Sequence, residues 1–74
     1  MSDNLITRAG KALYGEQWQS ELARSLGVDA RTVRRWAVDE AAPRPGVYVD
    51  LLREATERLD DLEMLAEELK RHGS

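Results

Sequence analysis

Three arginines pose the chemical question. Arg31, Arg34 and Arg35 fall within five residues, in the stretch Ala30-Arg31-Thr32-Val33-Arg34-Arg35-Trp36. On a helix, residues four apart share a face, so Arg31 and Arg35 project together with Arg34 beside them. A guanidinium is permanently charged and offers its N–H groups as a flat fork, which matches a phosphate or the O6/N7 edge of a guanine. The other side chains with reactive potential do not assemble into anything. Cysteine is absent, His72 is the one histidine, and no nucleophile–base pair or cluster of metal ligands emerges. No catalytic residue, metal or cofactor is therefore expected, nor a small-molecule ligand.

The elements that must position the arginines are helical. Leu5, Ile6, Ala9, Ala12 and Leu13 recur on one helix face, with Ser2 or Asp3 to cap its start and Gly15 suited to a left-handed end. A second helix, about Trp18 to Leu26, buries Leu22, Ala23 and Leu26 and stops at Gly27, whose freedom at positive φ allows a short reversal. Ala23 is small where two helices must cross closely, and Val28 follows the turn. Asp29 caps a third helix that carries Val33 and Trp36 inward. Trp18 and Trp36 read as core. Ala30, Arg31, Arg34 and Arg35 then face outward, with pairing to Asp29 or Glu40 an alternative for Arg34. Asp39 to Gly46, with Pro43 and Pro45, reads as a loop.

Beyond Gly46 the periodicity changes. Tyr48, Leu52, Ala55, Leu59, Leu62, Ala66 and Leu69 alternate in steps of four and three, a 3.5-residue seam, and Leu51 and Leu65 widen it. One unbroken helix over 47–72, roughly 36 Å long, is predicted. Tyr48, Leu51, Leu52 and Ala55 are expected to complete the core over the first three helices. A chain of this length has a radius of gyration near ~11 Å, so the helix overruns it. Leu59, Leu62, Leu65, Ala66 and Leu69 would face water without a partner, which predicts a homodimer.

With 74 residues, the chain is one small all-α domain: a head over residues 1–46 and the long helix over 47–72. At that size a lone core is marginal, and oligomerisation is the most accessible further support. A 34% charged and 42% hydrophobic composition is that of a folded chain, not a disordered one. No apolar run is long enough to cross a membrane, and Met1-Ser2-Asp3-Asn4 shows no export signal, so a cytoplasmic location is expected. The net charge of −3 is unevenly spread. Residues 1–49 carry seven basic and six acidic side chains, and residues 50–74 carry four and eight. A polyanion responds to the local field, which is positive around 31–35.

The run Gln19-Ser20-Glu21-Leu22-Ala23-Arg24-Ser25-Leu26-Gly27-Val28-Asp29-Ala30-Arg31-Thr32-Val33-Arg34-Arg35-Trp36 resembles the helix-turn-helix of the Cro/lambda-repressor-like (XRE-type) regulators. Ala23, Gly27, Leu22, Leu26, Val28 and Val33 stand where that family places its small, hinge and apolar residues. Trp36, a polar loop and Pro43 are similar to the family's Trp-Glu-Asn-Gly…Pro stretch, without the Asn-Gly. The likeness spans about residues 17–52. It implies a double-stranded DNA partner, a pseudo-palindromic operator, phosphate contacts from Gln19, Ser20 and Arg44, and base contacts from Ala30, Arg31, Arg34 and Arg35, with Thr32 also among the DNA-binding residues. Phages and mobile elements carry many regulators of this size, including autoregulators of anti-CRISPR operons, and size and likeness imply that class. The long acidic helix after Pro45 departs from the family's two short helices. An antitoxin, using the same head on DNA and the long helix on a foreign partner, is the alternative. Antitoxins usually add a disordered segment, which this sequence lacks.

Overall fold

Helix α1 (Leu5–Tyr14) is not capped by Asp3. Asn4 takes the role, its Oδ1 accepting the Thr7 N–H at 3.0 Å. Ser2 lies outside residues 3–73, which this computed structural model describes, and Asp3 pairs with Lys11 at 2.7 Å instead. Gly15 does end α1 at positive φ (78°). Its ψ of −147° takes it out of the left-handed helical well, and the chain continues as a 3-10 turn over Gly15–Gln17. That turn runs straight into α2 (Trp18–Leu26).

The reversal after α2 is built as its sequence requires. Gly27 adopts φ 70° and ψ 31°, its N–H reaches the Arg24 carbonyl at 3.3 Å, and the Val28 N–H reaches the Ala23 carbonyl at 3.0 Å. These two bonds satisfy carbonyls that the helix end would otherwise orphan. A Cβ on residue 27 would touch nothing, so backbone conformation alone calls for glycine there. Asp29 then caps α3 (Ala30–Ala37), accepting the Arg31 N–H at 2.8 Å. At the far end of α3 the same kind of closure recurs with a non-glycine residue. Asp39 takes φ 62°, its N–H bonds the Trp36 carbonyl, and the Glu40 N–H bonds the Arg35 carbonyl at 2.9 Å. Aspartate is among the few L-residues that tolerate this conformation.

The final helix, α4 (Pro45–Gly73), starts two residues earlier than expected. Pro45 occupies its first position, where no N–H is needed and a fixed φ suits the helix, so only Pro43 stays in the loop. The helix then continues through Gly73, one residue beyond the expected end.

Ile6, Trp18, Leu22, Ala23, Val33, Trp36 and Leu51 form the buried core, both tryptophans included. Several expected members stay outside. Leu5 and Ala12 are exposed because α1 turns its Ile6–Gly10 face inward rather than its Leu5–Ala12 edge, and Val28, in the turn between α2 and α3, is exposed as well. Along α4 only Leu51 is buried. Tyr48 and Ala55 are exposed, and Leu52 is 68% exposed, contrary to their expected place in the core. The reason lies in how α4 is held. Tyr14 donates to a Glu54 carboxylate oxygen, and Arg58 donates to the Leu13 carbonyl at 2.9 Å while lying 5.9 Å over the Tyr14 ring. These contacts dock the Leu51–Glu54–Arg58 side of the helix on the head and turn the seam away from it.

Distal to Arg58 the helix projects alone, giving extents of 49 × 26 × 17 Å and a radius of gyration of 14.8 Å rather than ~11 Å. All described residues from Ala55 onward are exposed. None of the described helices is long and apolar enough to cross a membrane.

Candidate nucleic-acid interface

Val33 and Trp36 pin one side of α3 to the core. At about 100° per residue, Arg31, Arg34 and Arg35 fall within an arc of roughly 100° centred opposite that buried side. All three are exposed, and none forms an ion pair with Asp29, Glu40 or any other described residue. Asp29 caps the helix through its Oδ1 and makes no ion pair with Arg34. The outcome is a fan of three guanidinium groups with no carboxylate to neutralise them. Arg34 and Arg35 also lie in the last turn, where a cation is favoured by the helix dipole by ~0.3–1 kcal/mol.

The other nominated residues divide. Ala30 does not face outward as expected; it is half-buried and packs against the core from the flank of α3. Thr32 is half-buried on the opposite flank, its N–H bonded to the Asp29 carbonyl at 2.9 Å. Gln19 and Ser20 are the second and third residues of α2, half-buried and exposed respectively, and α2 begins with no side-chain cap. Arg44 is exposed immediately before α4, and its carbonyl accepts the Val47 N–H at 2.9 Å. Its charge therefore sits beside the positive end of a helix, a place that favours anions.

No protein-family model, curated protein or solved structure matches this chain.

Residue types alone missed the side chain that orients α3. Asn4 uses its Oδ1 on the Thr7 N–H, and its Nδ2 donates to the Trp36 carbonyl at 2.9 Å, the Ala37 carbonyl at 3.3 Å and Asp39 Oδ1 at 3.0 Å. One amide thus caps the start of α1 and satisfies the end of α3, tying the two together across 32 residues or more. A capping signal at Asn4 was readable from its polar side chain ahead of an apolar run. Its second role was not, because nothing local encodes it.

The arrangement suits recognition by permanent charge and forked N–H donors on a convex, rigid element.

Proposed function

We propose that this chain is a sequence-specific double-stranded DNA-binding regulator of the Cro/lambda-repressor-like kind, working as a homodimer on an inverted-repeat operator. The reading rests on one observation above all: Arg31, Arg34 and Arg35 stand exposed and unneutralised on the side of α3 opposite Val33 and Trp36. Arg31 and Arg35 read base edges in the major groove, and Arg34 serves bases or phosphates. Gln19, Ser20 and Arg44 hold the register on phosphates. The net charge of −3 does not oppose this, since the acidity belongs to the projecting helix.

Two copies place two recognition helices on half-sites one duplex turn apart, ~34–36 Å. The output in this reading is occlusion of a promoter in the cytoplasm, as in minimal phage or mobile-element repressors, including those that autoregulate anti-CRISPR operons. The exposed seam of α4 gives the antitoxin reading its one support, since a foreign chain could cover it. Selecting bound sites from a random duplex library tests the proposal. Enriched inverted half-sites are expected; no enrichment at low salt would sink it. A monomer that stays monomeric until a second protein is added would favour the antitoxin.

A further inference from the structure

We infer that α4 pairs with α4 of a second copy in antiparallel orientation and one register. Leu52 lies opposite the partner's Leu69, Ala55 opposite the partner's Ala66, and Leu59 opposite the partner's Leu62. This deepens the homodimer element of the proposed function and rests on it, though not on DNA binding.

The seam itself is the first ground. From Leu52 the order is Leu52, Ala55, Leu59, Leu62, Ala66, Leu69, in steps of three, four, three, four and three. Both the residue types and the spacing read the same from either end. A parallel, in-register pair sets each residue against its own copy and asks for no such symmetry. An antiparallel pair does: each wide leucine layer must meet leucine and each narrow alanine layer must meet alanine from the opposite direction. Leu59, Leu62 and Leu69 are 57%, 61% and 62% exposed, so the whole row is free to pair.

Charge points the same way. Residues 59–73 carry five carboxylates and two cations, whereas residues 45–58 carry three and two. Parallel pairing lays the two most acidic segments side by side. Antiparallel pairing sets each beside the partner's less acidic half, and it opposes the helix dipoles. The attractive contact a parallel pair would offer, Arg58 with the partner's Glu63, needs a guanidinium already engaged by the Leu13 carbonyl and the Tyr14 ring.

The head supplies the third ground. Leu5 and Ala9 of α1, with Tyr48, Leu51, Leu52 and Ala55 of α4, line a shallow and almost wholly apolar groove continuous with the seam. Leu65 lies seven residues beyond Arg58 and fourteen beyond Leu51, on the side of α4 that docks on the head. In an antiparallel pair those like sides face each other. The partner's Leu65 and Leu69 are thereby carried to the groove, covering Leu5 and Leu52. Both heads then stand on one side of the helix pair, related by a twofold axis across it.

Engineered thiols test the orientation cleanly, because the chain has no cysteine. In this register two copies of residue 52, or of residue 69, lie 17 residues apart along the axis. That is about 25 Å, far beyond the reach of a disulfide. Under mild oxidation, Leu52→Cys or Leu69→Cys alone should stay uncrosslinked, and an equimolar mixture should give covalent dimers. Crosslinking of either variant alone would overturn the proposal in favour of a parallel pair. A mixture that fails to crosslink while sedimentation still shows dimers would place the interface elsewhere, and a monomer by sedimentation would remove the pairing altogether. Both positions are exposed, so the head should keep its helical circular dichroism. No duplex enters the assay, so a failed site selection and a failed crosslink are separate results.

Discussion

The Trp18 indole packs closely against Gly10: a Cβ on residue 10 would stand 2.1 Å from the ring's Cε3. Gly10 is in the middle of α1, where alanine normally stabilises a helix by about 1 kcal/mol relative to glycine. The two effects oppose each other, and the clash is the larger. Trp18 is buried in the core, so its ring cannot shift without disturbing its packing there. Gly10→Ala should therefore destabilise the fold by about 1–3 kcal/mol, the range for overpacked cores. Urea unfolding followed by circular dichroism reads this directly; a variant as stable as the parent would mean that the ring moves freely.

Asn4 offers a way to separate two jobs of one side chain. Asn4→Asp keeps an oxygen to accept the Thr7 N–H, but it cannot donate to the Trp36 and Ala37 carbonyls and sets a carboxylate beside Asp39. A loss of about 1–3 kcal/mol is expected at neutral pH. Stability should partly recover under acid, where a protonated carboxyl can donate again. If Asn4→Asp is as stable as the parent, the ties to α3 contribute nothing and only the cap matters.

The helices and the arginine face were legible because their signals are local. Gly27, Asp29, Val33 and Trp36 each act within one or two turns, and the 3.6-residue period alone sets Arg31, Arg34 and Arg35 opposite the buried side. What could not be read depends on long-range docking. Tyr48, Leu52 and Ala55 fit a core as well as they fit an interface. Their place was decided by Tyr14, Glu54 and Arg58, which meet across 40 residues or more and leave no periodic trace. Gly10 was equally silent, since only the approach of Trp18 gives it meaning.

The Tyr14–Glu54 contact should be visible in alkali. Burial, and then the hydrogen bond to Glu54, raises the Tyr14 phenol above its ordinary 10.0. A proton held more tightly by the folded chain means that folding is favoured below that ordinary value. The contribution is lost as pH climbs through the higher folded-state value. Between neutral pH and about 11, the Tm of the parent should fall more steeply than that of Tyr14→Phe, which lacks the ionisable group. Parallel curves would show that the phenol is not held by the fold.

For DNA, the arginines should separate by role. Arg31→Ala or Arg35→Ala is expected to cost about 1–3 kcal/mol on a selected operator and to relax preference at one base position. Arg44→Ala should weaken all duplexes alike and lower the slope of affinity against salt by about one. All are exposed and unpaired among the described residues, so helix content should not change. Retained base preference in both α3 variants would remove α3 as the reading element, and a sequence-selective loss at Arg44 would contradict its phosphate role.

The seam and the DNA face should be coupled through dimerisation. Leu62→Glu places a carboxylate opposite the partner's Leu59 in each of two symmetry-related layers, and the nearby Arg58 is already engaged by the Leu13 carbonyl and the Tyr14 ring. Ionised groups resist such burial strongly, whereas Leu62 of a lone chain is exposed and its replacement costs the head nothing. Dimer dissociation should rise by on the order of 100-fold, about 2.8 kcal/mol. Sedimentation equilibrium should then show monomers with unchanged helical content at low concentration. A two-half-site operator engages both heads only while they are joined, so its affinity should fall towards that of an isolated half-site. Lost dimers with undiminished operator binding would uncouple the seam from recognition and leave the long helix in need of another purpose.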